Sequence, residues 1–375
     1  GASRCGFTRS GDFSRPTRGV AGNAIGFGLE ALLGMPSIPD TLGNVDVLED
    51  WLSRPSASAR TALEGTSGDI LVLGAGGKMG PTLTRMVKRA VPDRRVIAVS
   101  RFTDSHLPGQ LESQGIEVIK GDLLDEDFLQ SLPDCSNVYY LAGMKFGATG
   151  NEPLTWAMNT WLPGKVCQRF SESQIVALST GNVYGLTNTQ GLGSQEADDL
   201  NPVGEYANSC LGRERLFQYL SRVQQTPVIL IRLNYANELR YGVLIDLARK
   251  VLSREPINLA MGWVNLIWQG DANAMIAAAI SKAASPAVIM NVAGAPHLRV
   301  RSLVEQLGEI AGVDPVLQGK EGPDALLSDA SLSRLWFGEP EVPINVMLQW
   351  VVRWLEQGGS TLGKPTKFEN RSGNF

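Results

Sequence analysis

Ile70-Leu71-Val72-Leu73-Gly74-Ala75-Gly76-Gly77-Lys78-Met79-Gly80 decides how the chain is read. Four apolar residues, Ile70 to Leu73, suit a buried strand. Glycines at 74, 76, 77 and 80 then turn the chain sharply into the amphipathic run Pro81–Ala90. A dinucleotide pyrophosphate needs this geometry: glycine lets the backbone approach the phosphates, and a helix N-terminus aims its free N–H groups at the anion. Gly74, Gly76, Gly77, Lys78, Met79 and Gly80 are therefore candidate cofactor contacts. A tight strand–helix turn without a ligand has the same composition, so the reading depends on what surrounds it.

From residue 69 onward the pattern alternates. Short Val- and Ile-rich runs predict strands at 70–73, 95–99, 116–119, 137–141, 174–178 and 227–232. Helical periodicity falls between them, at 79–90, 125–131, 153–170 and 205–223. This alternation predicts an α/β fold with a doubly wound parallel sheet. An acid about twenty residues beyond the glycines would bind the ribose 2′-hydroxyl of NAD. Here Ser100 stands at that place, followed by Arg101. Serine does not repel a 2′-phosphate and arginine pairs with one bidentately, which favours NADP over NAD. The competing role for Arg101 is a solvated loop arginine.

The segments outside this pattern complete the organisation. Residues 1–67 form an N-terminal extension. Its first 20 residues, rich in Gly, Ser, Arg and Thr, lack the apolar core of a secretory signal and read as a disordered leader. Residues 21–36 are Gly-rich and apolar without a period. Val45–Ser53 and Ala57–Glu64 predict two short helices, an appendage covering a sheet edge or a subunit surface. The nucleotide-binding domain is expected over 68–235. A mixed substrate-binding region follows at 236–360, returning some elements to that domain. Within it, Leu244–Leu252, Asp271–Ala284, Leu303–Ala311 and Val346–Glu356 read as helices, and Ile257–Leu259, Val264–Trp268 and Val288–Val292 as strands. Residues 361–375 read as a flexible tail.

Composition narrows the function. The 375 residues carry a net charge of −4 and no long basic run, which argues against a nucleic-acid partner. No apolar run approaches the ~20 residues of a membrane span. Cys5, Cys135, Cys167 and Cys210 are scattered, as suits reduced thiols in a cytoplasmic protein. His106 and His297 have no partner at metal-ligand spacing, so no metal site is expected.

Four stretches follow the glycine turn in one order: Lys120-Gly121-Asp122-Leu123, Tyr140-Leu141-Ala142-Gly143, Ser179-Thr180-Gly181-Asn182-Val183-Tyr184-Gly185 and Tyr206-Ala207-Asn208-Ser209-Cys210. Together they resemble the extended short-chain dehydrogenase/reductase superfamily, which includes the NAD(P)-dependent nucleotide-sugar epimerases and dehydratases. The resemblance covers about residues 69–295. It implies a Rossmann-like domain in which Gly74, Gly77 and Gly80 line the pyrophosphate, Asp122 and Leu123 meet the adenine, and Ala142 and Gly143 pass beside the cofactor. Asn159 resembles the family's helix asparagine, a further cofactor residue. Thr180 matches the hydroxyl that binds the substrate oxygen, and Tyr206 the catalytic tyrosine, which also borders the cofactor. From residues alone, Asp122 reads equally as a cap of the next helix.

A tyrosine has a reference pKa near ~10 and needs help to act as a base at neutral pH. The family supplies a lysine four residues later on the same helix face, whose charge favours phenolate. Here that position is Cys210, and Lys145 and Lys165 are the candidates to reach the site from elsewhere. Arg213 and Arg215 read as surface partners of Glu214 or other acids. Dehydratases of the family have Thr-Asp-Glu where this chain has Thr180-Gly181-Asn182; losing that acid–base pair argues against a 4,6-dehydratase. Asn234, Tyr235 and Arg240 follow the last strand of the domain, where an open α/β sheet places its ligand crevice, and are substrate-side candidates. The resulting expectation is an NAD(P)-dependent oxidoreductase or epimerase for a polar, sugar-like small molecule. Its competitor is a non-catalytic nucleotide-binding or regulatory protein that kept the cofactor fold. The resemblance also suggests a homodimer through the helices at 153–170 and 205–223.

Overall fold

Strands β1 (Ile70–Leu73), β2 (Val96–Ser100), β3 (Glu117–Lys120), β4 (Asn137–Tyr140), β5 (Gln174–Thr180), β6 (Val228–Leu233) and β7 (Val288–Val292) form one sheet. They hydrogen-bond in the order β3-β2-β1-β4-β5-β6-β7, every pair parallel. The computed structural model describes Gly1 and residues 38–145, 147, 149–294 and 297–373. All elements below lie in the unit Asp40–Phe375. The leader 1–20, beyond Gly1, and the apolar stretch 21–36 lie outside the described residues.

The strand pattern explains the layers. Ile70 and Val72 point into one core, shared with α2 (Ala57–Glu64), α3 (Gly80–Ala90), α4 (Leu107–Glu112) and α10 (Gln269–Ala278). Leu71 and Leu73 point into the other, with α5 (Glu126–Ser131), α7 (Leu162–Arg169) and α8 (Gly204–Gln224). Alternate residues thus face opposite sides and both sides are covered. Leu73 pairs with Val99 on one side and Tyr140 on the other, so the glycine turn leaves the middle of the sheet. Strand order reverses between β1 and β4, and ligand crevices open at the carboxyl ends beside such a reversal.

A third core joins α1 (Val45–Leu52), α9 (Val243–Leu252), α11 (Val300–Ala311) and α13 (Ile344–Glu356) around Trp268 and Trp350. β7 adds to the central sheet and α10 packs in its core. Helix α12 (Ser331–Phe337) packs near β7. Among the described residues no helix is long and apolar enough to cross a membrane.

Four details differ from the sequence reading. Val264–Trp268 is not one strand: Trp263–Val264 pairs antiparallel with Leu298–Arg299, and Ile267–Trp268 pairs parallel with Ala236–Asn237. Between them Asn265 turns inward, and its Oδ1 accepts from the Ser328 amide at 2.7 Å. The helix expected over 153–170 is broken into α6 (Glu152–Trp156), a π-helical turn Ala157–Trp161 and α7. Pro163 has no N–H for the Asn159 carbonyl four residues earlier, and that carbonyl accepts from Arg213 Nε instead, at 3.3 Å. The N-terminal helices do not cover a sheet edge; α2 packs on α10 and α3, because Ala59 and Leu63 bury against them. The tail is held in place. Phe368 is buried, Thr366 donates to Asp246 through its N–H (2.7 Å) and hydroxyl (2.6 Å), and Lys250 meets Glu369 at 2.5 Å.

Candidate active site

The site begins where β1 ends. Gly74 has φ +85°, and a Cβ there would lie 2.6 Å from the Ala142 amide nitrogen, so the exits of β1 and β4 touch only because residue 74 is glycine. A Cβ on Gly76 would lie 2.7 Å from Ser100 Oγ. Met79, at the N-cap of α3, offers no side-chain cap, which leaves the first helical N–H groups open to an anion. A cradle that any side chain would fill, at an uncapped helix start, fits a dinucleotide diphosphate.

Two cavities meet here. The inner one, about 250 Å³, runs from the glycine turn to Thr180, Tyr206, Arg213, Asn234 and Tyr235. The outer one, about 1280 Å³, extends past Gly76 and Arg101 to α1 and Arg240. Gly77, Lys78, Gly143, Met144, Lys145 and Tyr241 border both and form the neck.

Thr180 closes β5, and its hydroxyl accepts from the Asn182 N–H (3.2 Å) and Nδ2 (2.8 Å). Helix α8 brings Tyr206 to it, with the phenol facing the Thr180 hydroxyl and the Cys210 thiol. Burial raises the phenol above its ordinary pKa and Cys210 adds to this, while Arg213 and Thr180 oppose it. Burial likewise raises the Cys210 thiol. At Gly181 a Cβ would lie 3.0 Å from Ser328 Oγ, so little room is left where a dehydratase carries its acid.

Several residues stand elsewhere than expected. Arg213 is no surface partner of Glu214. It is 5 % exposed and donates to Leu178 O (2.6 Å), Asn159 O (3.3 Å) and Asn159 Oδ1 (2.8 Å). Seven residues after Tyr206 is two helical turns, which puts it on the site face. Glu214 is fully buried against Arg232 (2.7 Å) and accepts from Ser179 Oγ (2.5 Å). Arg215 bonds Gln218 instead. Asn159, expected at the cofactor, turns its amide away. Its Oδ1 accepts from Met144 N (2.8 Å) and Arg213, and its Nδ2 donates to Met144 O (2.8 Å) and Ser209 Oγ (3.0 Å). Asp122 does not cap α5; Asp125 does, because α5 starts at Glu126. Asp122 accepts from the Leu124 N–H (3.0 Å) and stands 3.8 Å from Arg101, with Leu123 buried beside it.

The lysine candidates separate. Lys165 pairs with Glu126 at 3.1 Å, away from the site. Lys145 reaches it, with Nζ 5.7 Å from the centroid of the Tyr206 ring, and burial lowers its pKa to about 8. Lys78 lies over the Tyr241 ring (3.7 Å) and donates to Ala236 O (3.1 Å); burial lowers it to about 7, opposed by Glu238. Arg240 does not join Thr180 and Tyr206. It pairs with Glu238 (3.1 Å) and with Glu49 of α1 (2.6 Å), and Glu49 also pairs with Arg85 of α3. Asn182, Tyr241, Gly242 and Thr366 line the inner cavity as well. The sequence carries no signal for Thr366; the helical spacing 206–210–213 is the signal for Arg213.

Residues 70–297, more than half of the chain, match the NAD dependent epimerase/dehydratase family. No protein of curated function matches it. The fold is similar to that of MoeE5 in complex with UDP-glucuronic acid and NAD, at 20% identity and TM-score 0.62, covering 78% of this chain and 100% of that one. It is similar to UDP-glucuronic acid 4-epimerase from Bacillus cereus with NAD (18%, TM-score 0.62, covering 77% and 99%). The dTDP-glucose 4,6-dehydratase of Bacillus anthracis with NAD gives 17% and TM-score 0.64, covering 78% and 97%. The parallel sheet, the glycine turn at its reversal and the matched span together mean that this chain belongs to the NAD dependent epimerase/dehydratase family.

Proposed function

We propose that the chain is an NAD(P)-dependent oxidoreductase or epimerase acting on a polar, sugar-like substrate. One observation carries this reading: Thr180 and Tyr206 share a cavity with the glycine turn. A bound nicotinamide supplies a hydride acceptor or donor. The protein's part is to hold and protonate. Thr180 binds the substrate oxygen, Tyr206 exchanges its proton, and Asn234 and Tyr235 border the substrate. Arg240, bound to two carboxylates, acts on the outer cavity's shape instead. The Gly181-Asn182 pair favours hydride chemistry without water elimination. Relatives of like fold bound to UDP-sugars support a nucleotide sugar as substrate class.

NADPH is favoured over NADH, supported by Ser100 in place of an acid and by Arg101 on the outer cavity. The helices expected to form a homodimer carry Trp161 (49 % exposed), Tyr219 and Val223 on the surface, which supports that assembly. Fluorescence titration with NADPH and NADH, followed by absorbance with a panel of keto- and UDP-sugars, tests the reading. Tighter binding of NADPH, lost in Arg101→Ala, is expected. Binding without turnover of any sugar favours the non-catalytic alternative; failure to bind either cofactor removes both.

A further inference from the structure

The family's positive charge beside the tyrosine is missing from α8, because position 210 is a cysteine. We infer that Lys145, from the loop after β4, replaces it: its ammonium uses the space left by the short Cys210 side chain and acts on Tyr206 as the charge that favours phenolate. The inference rests on the reading of Thr180 and Tyr206 as the reacting pair.

Three observations carry it. First, Lys145 Nζ lies 5.7 Å from the Tyr206 ring centroid, and both residues line the inner cavity. Second, the loop is built to present it. Both peptide groups of Met144, the preceding residue, are clamped by Asn159 at 2.8 Å, and Arg213 fixes the same amide oxygen. Gly143 completes the clamp, since a Cβ there would lie 2.5 Å from Arg213 Nη2. Third, the other cations are placed elsewhere: Lys78 lies over the Tyr241 ring and donates to Ala236 O. Lys165 pairs with Glu126, and the donors of Arg213 point at Leu178 and Asn159. Arg213 is thus a fixed background charge; of the two lysines that burial lowers, Lys78 to about 7 and Lys145 to about 8, Lys145 is the one placed over the Tyr206 ring.

Tyrosine labelled with ¹³C at Cζ reports the charge near its ring. The Tyr206 resonance is assigned by its loss in Tyr206→Phe. In the wild-type chain it should move with an inflection near pH 8, where Lys145 loses its proton. Four groups face this corner: Lys145, Cys210, Arg213 and, across the neck, Lys78. The step should vanish in Lys145→Met and persist in Cys210→Ser and Lys78→Met. A wild-type chain without the step, or a step that survives Lys145→Met, overturns the inference.

A stability cycle gives a second readout. Cys210→Lys places two ammoniums in one space and should lower the melting temperature, and adding the neutral, similar-sized Lys145→Met should recover it. Additive effects overturn the inference. If a substrate is found, Lys145→Met should lower kcat about tenfold, the effect of one pKa unit, with KM little changed, and Cys210→Lys should rescue it. Cofactor titration of the wild-type chain runs beside these. If it fails, the proposed function fails, and the resonance and the cycle still locate the Lys145 ammonium.

Discussion

Asn159→Leu is the most informative perturbation, because one fully buried amide holds together the loop, the helix and the buried arginine of the site. Leucine keeps the volume and removes four hydrogen bonds. The costs differ by partner. The Met144 N–H and C=O are part-buried, and each loses roughly 1 kcal/mol. Ser209 keeps its own bond to Tyr206 O at 2.8 Å and loses little. Arg213 Nη2 is buried and charged, and an unpaired group of that kind costs about 2 kcal/mol. The expected loss is about 4 kcal/mol in urea unfolding, or about 8 °C in melting temperature at the lower end of the usual conversion. Local readouts make the test specific. The Met144 amide should exchange with solvent faster by orders of magnitude, and the pH-dependent step at Tyr206 should weaken as the Lys145 loop loosens. Asn159→Asp keeps an acceptor for Met144 N–H and adds a charge partner for Arg213, so it should lose less than half as much. A loss under about 1 kcal/mol in Asn159→Leu, with the Met144 amide still protected, would refute the clamp.

Gly74→Ala forces a Cβ to 2.6 Å from the Ala142 nitrogen at φ +85°; it should abolish NADPH binding by fluorescence and lower the melting temperature. Glu214→Ala leaves Arg232 buried without its carboxylate and should cost about 3–5 kcal/mol in chemical denaturation. Burial lowers Lys78 to about 7 in the folded chain, below the ordinary 10.5 of a lysine, so the folded chain binds fewer protons than the unfolded one between these values. Stability from this group therefore rises with pH from about 7 toward 10.5, and Lys78→Met should flatten that rise in denaturation curves. A diphosphate beside Lys78 favours its charged form, so NADPH binding at pH 8 should take up a proton, read by calorimetry in buffers of different ionisation enthalpy.

Ile70 to Gly80 by itself determined the strand, the turn and the start of α3, because glycine spacing and apolar runs act over a few residues. Alternating periods fixed the parallel sheet in the same way. The resemblance carried by the downstream motifs implied Thr180 and Tyr206 as a pair, and both line the inner cavity. Tertiary structure decided the rest. Whether Arg213 faces water or the site depends on what covers α8, and the π turn before Pro163 supplies the covering carbonyl. Asn159 is an asparagine in any reading, but the four groups its amide meets come from two separate stretches of chain, the loop after β4 and α8. Glu49, Arg85 and Arg240 meet across 191 positions of sequence, and Thr366 reaches the inner cavity from the tail. Lys145 belongs to the same class. A side chain's charge is written in the sequence, but the phenol it stands beside is chosen by packing, because electrostatic contact depends on distance in space and burial.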